Sequence, residues 1–83
     1  LTNLEILHCS NNRLTSLDVN GLTNLEYLDC NTNNLTSLNV QGCVNLEYLY
    51  CYNNDLTSLD IRGLTKLNTL NYDKRLDKTI LIY

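Results

Sequence analysis

Cysteine stands at positions 9, 30 and 51, each 21 residues beyond the last, and a fourth lies at position 43. Four thiols in a short chain invite two chemistries, metal ligation and disulfide pairing. Zinc needs four converging ligands and usually draws on close C-x-x-C pairs, and no such pair occurs. A disulfide needs Cβ vectors that converge. Cys9, Cys30 and Cys51 instead fall in one column of a repeated pattern. On strands stacked in parallel their Cβ vectors run alongside one another. They read as buried free thiols, small apolar fillers of a core. Cys43 takes a slot that holds Leu22 and Leu64 in the adjoining units, and reads the same way.

Asn12, Asn33 and Asn54 share the same spacing. A buried polar group without a partner costs about 1–3 kcal/mol, but a carboxamide both donates and accepts. The column is therefore expected to satisfy backbone groups where the chain bends, bridging successive coils. Asp18, Asn39 and Asp60 are expected to cap turn backbone, with a calcium site as the rival reading. Glu5, Glu26 and Glu47 form a column of like charges about 5 Å apart. Stacked like charges repel, so each calls for water or a cation such as Lys66. Carboxylates that share acid–base work need contrasting environments, which a uniform column does not offer. His8 is the single histidine, and Cys9 beside it points to the opposite face of the strand. The sequon at Asn34-Leu35-Thr36 falls where Arg13 and Asp55 fall in other units, and reads as coincidence. No catalytic residue, metal or cofactor is expected.

The wider composition agrees with a repeat. Of 83 residues 19 are Leu and 14 are Asn, with no Phe, Trp, Met or Pro, as when each slot takes one residue type. The net charge is -3 and no basic stripe is visible, so nucleic acid is not an expected partner. Positive charge lies late, at Arg62, Lys66, Lys74, Arg75 and Lys78. No apolar run of about 18 residues exists, so no membrane insertion is expected.

The elements that position these columns follow from the period. L-x-x-L-x-C-x-x-N-x-L occurs at 4–14, 25–35 and 46–56. Units run 4–24, 25–45 and 46–66, with a divergent one at 67–83, all in one domain of 1–83. Leu1-Thr2-Asn3 matches Leu22-Thr23-Asn24 and is expected to be the tail of a preceding repeat, so the segment is read as part of a longer chain. Numbering each unit from its first leucine, positions 3 to 7 alternate with 4 and 6 apolar, which predicts a short strand with one buried face. A second apolar set at positions 11, 14 and 16 returns the chain on the other side. Thr-Ser-Leu-Asp-Val is a poor helix, so extended or irregular structure is expected there. Gly21, Gly42 and Gly63 recur at a turn, which predicts a backbone angle other residues reach only with strain. In the last unit Tyr72 replaces Cys, Arg75 falls in the Asn slot and Asp77 in a Leu slot. Counting by 21 places Ile80 and Ile82 in the inward slots of positions 14 and 16, and the charged run 74–78 reads as a cap.

What remains is the exposed face of the strands, positions 3, 5 and 7. It carries Ile6, His8 and Ser10; Tyr27, Asp29 and Asn31; Tyr48, Tyr50 and Tyr52; Thr69, Asn71 and Asp73. The core columns barely vary while these do. Tyrosine is amphipathic and enriched at interfaces. A binding surface is expected of Tyr27, Tyr48, Tyr50, Tyr52 and His8, rimmed by Asp29, Asn31, Asn71 and Asp73. The plainer reading is a stack of β-formers that only stiffens the sheet.

L-x-x-L-x-C-x-x-N-x-L-T-S-L-D-V with a 21-residue period resembles the leucine-rich repeat family. More narrowly it looks like the cysteine-containing repeats of bacterial secreted and cell-surface proteins, cousins of the internalins. The resemblance covers 1–66 strongly and 67–83 in part. It implies a curved solenoid with a parallel sheet on the concave side and little or no helix. It also implies no catalysis, recognition of a protein or surface glycan, and an extracellular or cell-surface setting such as adhesion. The lack of Pro departs from the proline-marked repeats of secreted bacterial ligase effectors. The alternative is a structural spacer that presents another domain and has no ligand of its own.

Overall fold

The computed structural model describes residues 3–73 and 80–83. All regular structure in them consists of three-residue strands, and they contain no helix. β1 (Ile6–His8), β3 (Tyr27–Asp29), β5 (Tyr48–Tyr50) and β7 (Thr69–Asn71) form a four-stranded parallel sheet in that order. On the opposite side β2 (Ser16–Asp18) pairs with β4 (Ser37–Asn39), and β6 (Ser58–Asp60) pairs with β8 (Ile80–Ile82). The result is a parallel β-solenoid, one coil per repeat. Strand spacing of about 4.8 Å sets the rise of each coil.

The register of the four-stranded sheet follows the sequence period. Leu7, Leu28, Leu49 and Leu70 lie directly opposite one another along it. They point inward and meet the return side at Leu17, Leu38 and Leu59. Leu25, Leu28, Cys30, Leu35, Val40, Cys43, Leu46 and Leu49 are fully buried. Cys43 also donates from Sγ to the Val19 carbonyl at 3.2 Å. The cysteines are free thiols, with Cys30, Cys43 and Cys51 buried and Cys9 half-buried. Burial pushes the Cys51 thiol up to about 12, with the Asp73 carboxylate adding to the effect. It pushes Cys30 further in the same direction.

Two corners define the coil. At Val19-Asn20-Gly21-Leu22 the Leu22 N–H donates to the Val19 carbonyl at 3.1 Å, and Gly21 has φ +80°. This is the geometry of a type II turn, whose third residue must take positive φ. At Gly42 a side chain would also strike the previous coil, 3.1 Å from the Gly21 nitrogen. Asp18, Asn39 and Asp60 cap this corner, each accepting from the backbone N–H two residues on. At the other corner Asn11, Thr32 and Asn53 take φ of 58°, 58° and 61°. Asn tolerates the left-handed region, whereas a β-branched residue such as Thr32 is strained in it.

The last coil departs from the expected count. β8 pairs Ser58 with Ile80, Leu59 with Leu81 and Asp60 with Ile82. It is Leu81 that packs on the core, while Ile80 and Ile82 are 63% and 39% exposed. A slip of one residue sends every side chain to the other face. β7 keeps the 21-residue step, since Tyr50 lies opposite Asn71. The step from Ser58 to Ile80 is one residue longer than that period. Tyr72 keeps the inward cysteine slot and packs on the core. The cap expected at 74–78, with Arg75 and Asp77, lies outside the described residues, as do Leu1 and Thr2 of the expected tail.

Candidate recognition face

The outer surface of the four-stranded sheet carries two columns. One runs Ile6, Tyr27, Tyr48, Thr69, and the next runs His8, Asp29, Tyr50, Asn71. Tyr27 is the hub. Its ring centroid lies 6.0 Å from that of Tyr48, its neighbour in the same column. It also lies 5.5 Å from Tyr50 and 5.0 Å from His8 in the other column. The interplanar angles of 44–48° are tilted, a packing that aromatic quadrupoles favour over face-to-face stacking. Asp29 sits between His8 and Tyr50 in its column. Partial burial pushes the Tyr27 hydroxyl above its ordinary pKa, with smaller contributions from Asp29 and Tyr50.

The expected rim is only partly available. The Asn31 carboxamide oxygen accepts the Tyr52 backbone N–H at 2.5 Å. Asp73 accepts the backbone N–H groups of Asn53 and Asn54, at 2.9 and 3.0 Å. Both side chains thus serve the corner of the coil. Tyr52 is 49% exposed and makes no ring contact within the described residues. Asn71 stays on the face, exposed beside Tyr50 in register. Ile6 is 57% exposed and extends the tyrosine column on its other side. It shares position 3 with Tyr27 and Tyr48, which is the signal that marks it as part of the patch.

The face is held from beneath by the asparagine ladder. Asn54 Nδ2 donates to the carbonyls of Cys30, Cys51 and Tyr52 at 3.0, 3.1 and 3.3 Å. Its Oδ1 accepts the Leu35 N–H of the previous coil at 3.0 Å. Asn33 repeats the pattern toward Cys9, Cys30, Asn31 and Leu14. Each side chain ties two coils together at the residue where strand pairing ends. Asn12, in the first coil, is exposed and reaches only Cys9 and Ser10.

The charges are unevenly placed. The one salt bridge among the described residues joins Arg62 Nη2 to Asp60 Oδ2 at 2.6 Å, on the opposite side of the coil. Hydrogen bonds from the Arg62 side chain and backbone hold the Asp60 carboxyl down to about 2. Lys66 donates to the Asn45 side chain at 2.7 Å and not to the glutamate column. Within the described residues, no three His, Cys, Asp or Glu side chains are grouped to hold a metal ion.

A coil without helix among the described residues, with inward leucines, a buried asparagine ladder and a four-stranded parallel sheet, defines a β-solenoid repeat protein. Residues 2–42 match the family model described as Leucine Rich repeats (2 copies), and 45–67 match the one described as Leucine Rich Repeat. The chain belongs to the leucine-rich repeat family. Neither the curated proteins nor the solved structures compared with it gave a match. Repeats of this family are typically non-catalytic protein-interaction modules.

Proposed function

We propose that this segment is a non-catalytic recognition module that binds a protein through its concave sheet, within a larger secreted or cell-surface bacterial protein engaged in adhesion. The observation that carries the reading is the ring cluster of Tyr27, Tyr48, Tyr50 and His8. These rings stand on a sheet whose opposite face packs on the core, with Leu28 and Leu49 fully buried, so they are presented with little freedom left to lose. Tyrosine supplies large contact area at low entropy cost. The resemblance to cysteine-containing surface repeats supports the cellular setting.

A pull-down with the longer native protein tests the reading, repeated with Tyr48→Ala and Tyr50→Ala combined. The double variant is expected to lose about 2 kcal/mol or more of partner affinity and to keep its fold. A glycan array run in parallel decides whether sugar rings occupy the same surface. Equal binding by the double variant makes the tyrosines scaffold and favours the spacer.

A further inference from the structure

Asp29 is the carboxylate in the middle of the ring cluster, flanked in register by His8 and Tyr50. One of its oxygens accepts the Asn31 N–H at 3.1 Å. The other has no hydrogen-bond or ion-pair partner among the described residues. The lysine and arginine side chains among the described residues are Arg13, Arg62 and Lys66. Arg62 is engaged with Asp60 on the return side of the coil, and Lys66 with the Asn45 side chain. Arg13 lies past the bend, outside positions 3, 5 and 7 of its coil. Glu5, Glu26 and Glu47 each precede the column of Ile6, Tyr27 and Tyr48 by one residue, and none meets a cation among the described residues.

Tyrosine faces attract cations through the ring quadrupole when the charge lies within about 6 Å of the centroid. A planar guanidinium can stack on a ring while hydrogen-bonding a carboxylate in its own plane. We infer that the face formed by Tyr27, Tyr48, Tyr50 and Asp29 takes an arginine side chain presented by a basic segment of a partner protein. The inference rests on the concave-face reading above and specifies its partner by charge. Asp29 would supply the carboxylate oxygen, and the Tyr27 and Tyr50 rings, packed against each other at 5.5 Å, the surface on which the guanidinium stacks. Lysine can satisfy the charge but not the planar stacking, so arginine is preferred.

The test uses the 83-residue chain and two blocked peptides, Gly-Ser-Arg-Ser-Gly and the same sequence with citrulline for arginine. Citrulline keeps the shape and removes the charge. Binding is followed by two-dimensional NMR at low salt. The arginine peptide is expected to shift the tyrosine ring signals and the amides around Asp29 in a saturable way, at least fivefold more tightly than the citrulline peptide. Asp29→Asn is expected to remove that difference. Its amide oxygen can still accept the Asn31 N–H, so the local turn is kept. Tyr50→Leu is expected to weaken the arginine peptide while leaving the circular dichroism unchanged. Raising the salt to about 0.5 M is expected to reduce the preference, as screening requires.

Equal binding of both peptides at the tyrosines overturns the arginine inference and leaves the concave face a charge-blind binding surface. An arginine preference that survives Asp29→Asn, or shifts confined to residues outside the sheet, overturns it as well. Loss of partner binding in the pull-down variant is read separately, so failure here and failure of the module reading are distinguishable.

Discussion

The first and second coils have nearly the same letters and different environments. Leu28, Cys30 and Leu35 are fully buried, whereas Leu7, Cys9 and Leu14, one period earlier, are only half-buried. Asn54 and Asn33 in the inner coils are buried with partners on two coils, whereas Asn12 is exposed and bonds only within its own. β3 is paired on both sides and β1 on one. In a solenoid, stability comes from nearest-neighbour interfaces added to the intrinsic worth of each repeat. An identical motif therefore contributes according to how many coils flank it.

The largest expected effect follows from the ladder itself. Asn54→Ala strands the Leu35 N–H and the Cys51 carbonyl, while the Cys30 and Tyr52 carbonyls keep Asn33 Nδ2 and the Thr32 N–H, and is expected to cost about 3 kcal/mol. Asn12→Ala removes two exposed bonds and is expected to cost under about 1 kcal/mol. Urea unfolding of the two variants checks the contrast, and equal losses would break the neighbour argument.

A smaller effect tests burial of the thiols by pH. Cys51 has a folded pKa raised from 9.0 to about 12, because burial disfavours the thiolate. A raised folded pKa means its contribution is complete below pH 9 and is lost as pH climbs toward 12. The expected slope is roughly 1.4 kcal/mol per pH unit for one such group. Stability measured from pH 8 to 11 in the parent and in Cys51→Ala isolates this share, since every other group is common to both. The same slope in both proteins would mean that the thiol is not shielded.

The smallest effect compares one corner across three coils. Asn11 and Asn53 hold a positive φ that suits asparagine, while Thr32 holds the same angle at a cost. Thr32→Asn is expected to stabilise the chain by about 0.5–1 kcal/mol. A loss of stability would show that the Thr32 hydroxyl, 3.4 Å from Asn53 Nδ2, outweighs the strain.

Much of this was legible in advance because a repeat writes each structural demand several times. The strand, the inward leucine and cysteine columns, the buried asparagine and the turn glycine each recur with the same spacing. The left-handed corner was legible only in hindsight: asparagine stands at two of its three described positions, and Thr32 masks the third. At the candidate face the sequence identified which residues share the outer columns, since alternation fixes the side a residue takes.

What the sequence determined by itself was the period, and from it the parallel stack, the core columns and the tyrosine face. Local preference and alternation act over a few residues, so they can be read without knowing the partners. Tertiary structure decided what depends on lateral packing between coils. It placed the Tyr27 ring against Tyr48, Tyr50 and His8, while Tyr52 makes no ring contact among the described residues. It drew Asn31 and Asp73 from the expected rim into backbone bonds that close the next or previous corner. It also set the last return strand one residue late, with Leu81 inward and the two isoleucines outward. Register there follows from which side chain fits against Leu59, and a count along the chain does not contain that choice.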